Sequence, residues 1–197
     1  VLTCLALRAA GMSWFDAMCH AMSVFSLGGF STHDSSIAHF NSTAVEGVIM
    51  LATLAGGINF ANHFAAISQR SLRSYWRDEE VRTMLFLLCS SIVCASLYLA
   101  FKGFYRLDEA FRFVAFNYVS IGMASGFANA DFAQWPLIVS LWMFFLSNIL
   151  AGTGSMGGGI KLARGLVLAK FSLRETTLLL HPNAVRTVKV NLSLIHI

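Results

Sequence analysis

Charge is what this sequence has least of. Asp, Glu, Lys and Arg make up 12% of its 197 residues, about half the share of an ordinary soluble domain, while 56% of the residues are hydrophobic. Such a chain cannot clothe its surface in solvated groups, which excludes a water-soluble globular domain and implies that its surroundings are membrane lipid. A metal-binding cysteine pattern is also missing. Cys4, Cys19, Cys89 and Cys94 lie in or beside apolar segments without zinc-ligand spacing, and read as small buried hydrophobes. No basic face for nucleic acid can be drawn either, although the net charge is +4. The basic residues fall into two blocks, Arg70, Arg73, Arg77 and Arg82, then Lys161, Arg164, Lys170, Arg174, Arg186 and Lys189. Asp34 and Asp131 lie on the other side of the apolar segments. By the positive-inside rule both basic blocks are cytoplasmic and both acidic positions face outward.

Length sorts the apolar runs into two classes. A helix needs roughly 20 apolar residues to cross a bilayer. Residues 45–67, 84–101 and 136–151 reach or approach that, the last continuing past a glycine-rich break into 162–171. Residues 14–26 and 110–121 are too short. Residues 1–7 read as the tail of an earlier span, so the chain is expected to be part of a longer one.

Each short segment ends in the same pattern. Ser23-Val24-Phe25-Ser26-Leu27-Gly28-Gly29-Phe30-Ser31-Thr32-His33-Asp34 is echoed by Ser120-Ile121-Gly122-Met123-Ala124-Ser125-Gly126-Phe127-Ala128-Asn129-Ala130-Asp131, at a constant offset of 97 residues (29 to 126). A segment that enters a membrane, turns at glycine and leaves on the same side has this form, and two of them suggest repeated walls of an ion pore. A tight turn between helices also asks for glycine, but repetition in register with matching flanks and sidedness favours the pore. Gly28, Gly29 and Gly126 are expected to take backbone angles open mainly to glycine, so that successive carbonyls can face one axis. Ser13 suits the start of the first short helix and Asp108 or Glu109 that of the second. Both helices would then aim their negative C-terminal ends at the turns, which favours a cation. A secondary transporter with re-entrant hairpins for a small anionic solute is the competing architecture. It calls for helix N-termini at the site.

Residues 152–159 form the third feature, Gly152-Thr153-Gly154-Ser155-Met156-Gly157-Gly158-Gly159, followed by Ile160 and Lys161. Gly152, Gly154 and Gly157 satisfy the dinucleotide fingerprint, but the apolar run before them is far too long for a first strand and no second strand follows. Ile160 stands where a phosphate-binding loop needs lysine. Thr153 replaces the glycine a serine nucleophile at Ser155 would require. All three mismatches weigh against an enzyme; the enzyme alternative is a membrane hydrolase using Ser155 and His63, which would require hydrolysis abolished by Ser155→Ala alone. A flexible break inside a span is tolerated only where it is buried in protein or lines water, and below a pore loop it is a natural gate, with Lys161 and Arg164 available to hold it to the basic inner face or a regulatory partner. Asn59, Asn62, His63 and Glu46 are polar residues within a span and candidates for function, with interhelical hydrogen bonding favoured for the two asparagines. His20 and Asn117, again 97 apart (20 to 117), are expected to orient the short helices rather than bind ions.

At Gly11-Met12-Ser13-Trp14-Phe15-Asp16-Ala17, Gly28-Gly29-Phe30-Ser31-Thr32-His33-Asp34, Gly154-Ser155-Met156-Gly157-Gly158-Gly159-Ile160-Lys161 and His181-Pro182-Asn183-Ala184-Val185, the chain resembles the membrane subunit of the Trk/Ktr/HKT superfamily of potassium transporters. The resemblance runs to about Val190. It implies an all-α integral membrane fold of membrane–pore-loop–membrane repeats, four per chain in the family. Residues 1–67 would hold most of the second repeat, 68–82 a cytoplasmic loop, 83–180 the third repeat and 181–191 a cytoplasmic connector; 192–197 fit no pattern and could be an artefact of a truncated reading frame. It further implies potassium as substrate, with no bound cofactor, selected by backbone carbonyls of Leu27, Gly28, Gly29, Phe30 and Ser31 and of Ala124, Ser125, Gly126, Phe127 and Ala128. Gly152, Gly154, Ser155, Gly157, Gly158, Gly159 and Lys161 would belong to the gating loop. Ala124 departs from the family's frequent threonine and Met156 from its usual small residue. The implied setting is a bacterial cytoplasmic membrane, the implied assembly a homodimer on a cytoplasmic ring of nucleotide-binding regulatory subunits of the TrkA type.

Overall fold

The computed structural model describes residues 1–180 and, beyond them, only the backbone of an antiparallel pairing of Lys189–Val190 with Ser193–Leu194. The expected connector at 181–191 and the tail at 192–197 otherwise lie outside the described residues. Two units of three helices follow one another. In the first, α1 (Leu2–Ala9) packs on the short α2 (Trp14–Phe25), which packs on α3 (Thr43–Gly57). In the second, α6 (Glu79–Phe101) packs on α7 (Leu107–Gly122) and α7 on α8 (Leu137–Ile149), which at 13 residues is shorter than both α7 and the span expected over 136–151, because the helix ends at the glycine-rich break. Between the units lie α4 (Phe60–Ser68) and α5 (Arg73–Arg77), and after the second comes α9 (Leu162–Leu180).

Local chemistry accounts for most of the boundaries. Ser13 caps α2, its Oγ accepting the Asp16 N–H at 3.0 Å, as its position before an apolar run suggests. Asp78 caps α6 through the Glu80 N–H at 2.9 Å. With 23 residues, α6 is the one helix among the described residues that is by itself long and apolar enough to cross a membrane, reaching about 35 Å. Its outward side chains Phe86 and Phe101, and Leu137 and Ile138 on α8, are 66–89% exposed. In a bilayer such faces meet lipid.

The span expected over 45–67 is not one helix. It breaks after Gly57 and turns through 96° into α4. Gly56-Gly57 weakens helix propagation, and Asn59 restarts the chain as a cap, its Oδ1 accepting the Ala61 N–H at 3.0 Å. In a continuing helix the Ala55 carbonyl would accept the Asn59 N–H. Here it accepts from His63 Nε2 at 2.8 Å, which leaves Nδ1 to accept the Tyr75 hydroxyl at 2.7 Å. Asn62 donates to Asp78, the α6 cap. His63 and Asn62 thus serve as struts that hold the bend to α5 and α6.

The two units interlock. One core gathers Leu7, Val24, Ile37 and Ile49 with Phe116 and Phe127 from the second unit; the other is centred on Leu88, Leu99, Tyr118, Met123 and Met143. The inner helix α3 meets α7 directly. At that contact Arg112 forks onto the buried Glu46, with Nε and Nη2 each 2.8 Å from a carboxylate oxygen. Removing one partner of such a pair strands the other. Glu46→Ala should cost about 2–3 kcal/mol in thermal unfolding, since Arg112 keeps some access to water, and Glu46→Leu combined with Arg112→Met should recover most of it.

Candidate functional site: two pore loops over an intramembrane break

Both short helices end in the same way. The Leu27 N–H bonds to Val24 O at 3.1 Å and the Gly28 N–H to Ser23 O at 2.9 Å; 97 residues on, the Ala124 N–H bonds to Ile121 O at 2.9 Å and the Ser125 N–H to Ser120 O at 2.8 Å. This is the Schellman termination, whose C′ residue must be left-handed and is usually glycine. Here it is Leu27 at φ +50° and Ala124 at φ +59°. Two residues later the backbone is left-handed again, at Gly29 (φ +67°) and Gly126 (φ +92°). From residue type alone, this freedom is expected at Gly28, Gly29 and Gly126. Gly28 is not among the positive-φ residues, and Leu27 takes that role because the helix cap, not the ion path, fixes its conformation. In each turn one residue that is not left-handed, Gly28 or Ser125, separates the two left-handed positions.

The two turns touch. A Cβ on Gly29 would lie 2.3 Å from Ser125 O and 3.1 Å from the Gly126 Cα. Glycine is required there twice over, by φ and by space. On the outer side the Ile37 and Ala38 N–H groups donate to Ala128 O at 3.0 and 3.3 Å, and the Ala128 N–H donates to Ser36 Oγ at 3.3 Å. Ser31 is held from behind by buried His20, whose Nδ1 donates to Asp16 O at 2.7 Å so that Nε2 accepts the Ser31 hydroxyl at 2.9 Å. In the second unit Asn117 Nδ2 donates to Phe113 O at 2.9 Å and to Asn129 Oδ1 at 2.7 Å. Both residues therefore tie a short helix to the segment leaving its turn, as their matched positions suggest. At the outer end of α2 the hydroxyls of Thr32 (2.6 Å) and Ser13 (2.7 Å) hold the Asp16 carboxyl below the usual carboxylate range. Phe30 is exposed, whereas Phe127 is fully buried against His20.

Under the turns runs the break between α8 and α9. A Cβ on Gly157 would stand 3.3 Å from Met123 O and 3.7 Å from Leu27 Cδ1, so the segment lies against the base of both turns. It also docks on the bend in the first unit, with the Gly152 N–H 2.9 Å from Gly57 O and the Phe60 N–H 3.5 Å from Gly154 O. Gly154 (φ +78°) packs on Asn59, and Gly159 (φ +94°) on Asn148 O, where a Cβ would come within 2.4 Å. The Ser155 hydroxyl donates to Gly152 O at 2.6 Å. Gly158 has open space around it, and Met156 and Ile160 are exposed. Lys161 does not reach out to an inner face: its ammonium folds back onto Ser155 O, at 3.2 Å, and onto Gly157 O. The unpaired carbonyls of the break are the nearest acceptors, which explains the reversal.

Two re-entrant helix–turn units beside the long apolar α6, with an interrupted helix below them, define an all-helical membrane protein of the pore-loop class. The profile of the TrkH family, described as cation transport protein, matches residues 4–195, and the chain belongs to that family. It is 38% identical over 190 residues to the Trk system potassium uptake protein TrkH of Halomonas elongata, covering 96% of this chain and 39% of that one. With the TrkH protein of Escherichia coli K12 it shares 38% identity over 195 residues, 96% of this chain and 40% of that one. The crystal structure of the potassium transporter TrkH from Vibrio parahaemolyticus superposes with a TM-score of 0.92 at 37% identity, covering 96% of this chain and 41% of that one. The chain thus spans about two-fifths of the length of the relatives it matches.

A left-handed L-residue costs roughly 1–2 kcal/mol. Ala124→Gly removes that strain at the price of extra unfolded-state freedom and should stabilise the protein by about 0.5–1 kcal/mol in thermal unfolding. Gly29→Ala, which meets Ser125 O, should destabilise it by more than that, while Gly28→Ala, which meets only the side chains of Ser26 and Phe30, should not.

Proposed function

We propose that this chain supplies two of the four walls of a potassium-selective pore, in the ion-translocating subunit of a Trk-type uptake system of a bacterial cytoplasmic membrane. The observation that carries the reading is the doubled turn: Leu27 and Gly29, and Ala124 and Gly126, take left-handed angles at matched positions, and the two turns meet backbone to backbone. Carbonyls of Leu27, Gly28, Gly29, Phe30 and Ser31 and of Ala124, Ser125, Gly126, Phe127 and Ala128 replace the water around the ion. The negative ends of α2 and α7 favour a cation at the turns, which weighs against the anionic solute of a re-entrant secondary transporter. Potassium enters as cargo, a reading supported by the names of the relatives; catalysis has no part in it. The second subunit of a homodimer and a cytoplasmic nucleotide-binding ring of the TrkA type complete the assembly.

Residues 152–159 act as the gate in this reading. They lie against both turns and are joined to the helices mainly by hydrogen bonds, and Gly158 adds no side chain to pack. Two measurements on the complete transporter test filter and gate separately. Gly126→Ser, which adds a Cβ at φ +92°, should lower the K⁺/Na⁺ flux ratio by tenfold or more, an order of magnitude per ~1.4 kcal/mol of lost discrimination. An unchanged ratio would remove these turns from the filter. Shortening 154–158 should raise flux measured without the regulatory subunit and leave the ratio alone; unchanged flux, or a changed ratio, would overturn the gating role.

A further inference from the structure

Glu80, the second residue of α6, is 5% exposed and plays no part in the pore turns. One of its carboxylate oxygens, Oε1, accepts the Thr153 N–H at 2.6 Å and the Ala163 N–H at 3.3 Å. Thr153 is at the entrance of the break and Ala163 is in the first turn of α9, just past its exit. A single buried oxygen therefore gathers both ends of the glycine-rich segment. Among the described residues, Lys161 lies on Ser155 O and Gly157 O and Lys170 pairs with Glu79, while the Glu80 carboxylate is met by backbone N–H groups. Each N–H it accepts is one that a broken helix leaves without an internal partner, and a carboxylate beside the first turn of α9 also meets the positive end of that helix.

We infer that Glu80 is a clasp that fixes the two ends of residues 152–159 and so sets the closed conformation of the gate. This rests on the gating role proposed above. With both ends fixed, the segment is held against the turns over it, where Gly157 abuts Met123 O and Leu27 Cδ1. With the clasp released, the docking that is left is a set of backbone bonds, Gly152 to Gly57 O, Phe60 to Gly154 O, Ile160 to Asn148 O and Leu162 to Ala151 O, together with the Lys161 cap; of these only the last two backbone bonds act at the exit end. Glu80 is thus a positioning residue. It acts through the loop and touches no ion.

The test uses the complete transporter in proteoliposomes, assayed with and without its regulatory subunit, and reads amide hydrogen exchange of the peptide covering 151–163 alongside flux. Charge-assisted hydrogen bonds of this kind are worth enough that their loss should speed local exchange at least about tenfold. Glu80→Ala should show that acceleration, with the turn peptides around Gly29 and Gly126 unchanged, and should raise regulator-independent flux at constant K⁺/Na⁺ ratio. Glu80→Gln keeps the shape and one acceptor oxygen and should fall between. Should Glu80→Ala fail to fold, Ala163→Pro removes one of the two donors at a helix position where proline is tolerated, and the same pattern is expected. Unchanged exchange overturns the clasp whatever the flux does. Faster exchange with flux lowered both with and without the regulator also overturns it, since that is what a purely structural prop would give. Faster exchange with flux unchanged in both conditions leaves the clasp standing and removes the gating role from residues 152–159.

Discussion

A helix broken at membrane depth exposes N–H and C=O groups that no bulk water can reach, and the protein must satisfy them itself. The rest of this structure follows from how that is done. The bend after Gly57 and the break after Ile149 are docked on each other, Gly152 to Gly57 and Phe60 to Gly154. His63 takes the Ala55 carbonyl that the bend releases, Asn148 O and Ala151 O accept the N–H groups of Ile160 and Leu162, and Glu80 collects two more at the edges. Each interruption is thus the partner of another. A mutation that straightens one would orphan groups in the other, at about 1–3 kcal/mol for each buried group left unpaired.

The same economy shapes the turns above. The Schellman caps satisfy the last carbonyls of α2 and α7, and in doing so they force Leu27 and Ala124 into angles that L-residues avoid. The strain is held at the position where the chain leaves the helix for the turn, and functional sites are where such outliers gather. Around that point the two units are joined at three levels: Ser36 and Ile37 to Ala128 on the outer side, Gly29 to Ser125 in the turns, and Met123 against Gly57 below. Arg112 and Glu46 add a fourth link between α7 and α3. The repeats are separate in sequence and form one body in space.

Much of this is legible in the chain itself. The 97-residue offset, the lengths that separate short helices from α6, the Ser13 cap, the glycine-rich interruption and the paired roles of His20 and Asn117 all rest on local pattern or on its repetition. Chain-local chemistry determines them, since a cap or an apolar period acts within a turn or two of the residues that encode it. The resemblance to the Trk/Ktr/HKT superfamily also lay in the sequence, and the family match agrees with it.

What the tertiary structure decided is of another kind. Residues 45–67 carry enough apolar character for a single span, and they bend because residues about 95 positions away, at Gly152 and Gly154, take the freed backbone groups. Leu27 and Ala124 look like ordinary apolar residues, and only the cap geometry makes them left-handed. Lys161 reads as a cytoplasmic anchor and turns inward because unpaired carbonyls lie within its reach. Glu80 reads as an acidic residue opening a helix, which it also is; that its carboxylate closes a loop 73 positions away depends on packing no local pattern encodes. The sequence by itself determined the repeated elements and their caps, because those depend on neighbours along the chain. Where the broken backbone finds its partners was decided by the fold, because a buried N–H or C=O is satisfied by whatever lies nearest in space.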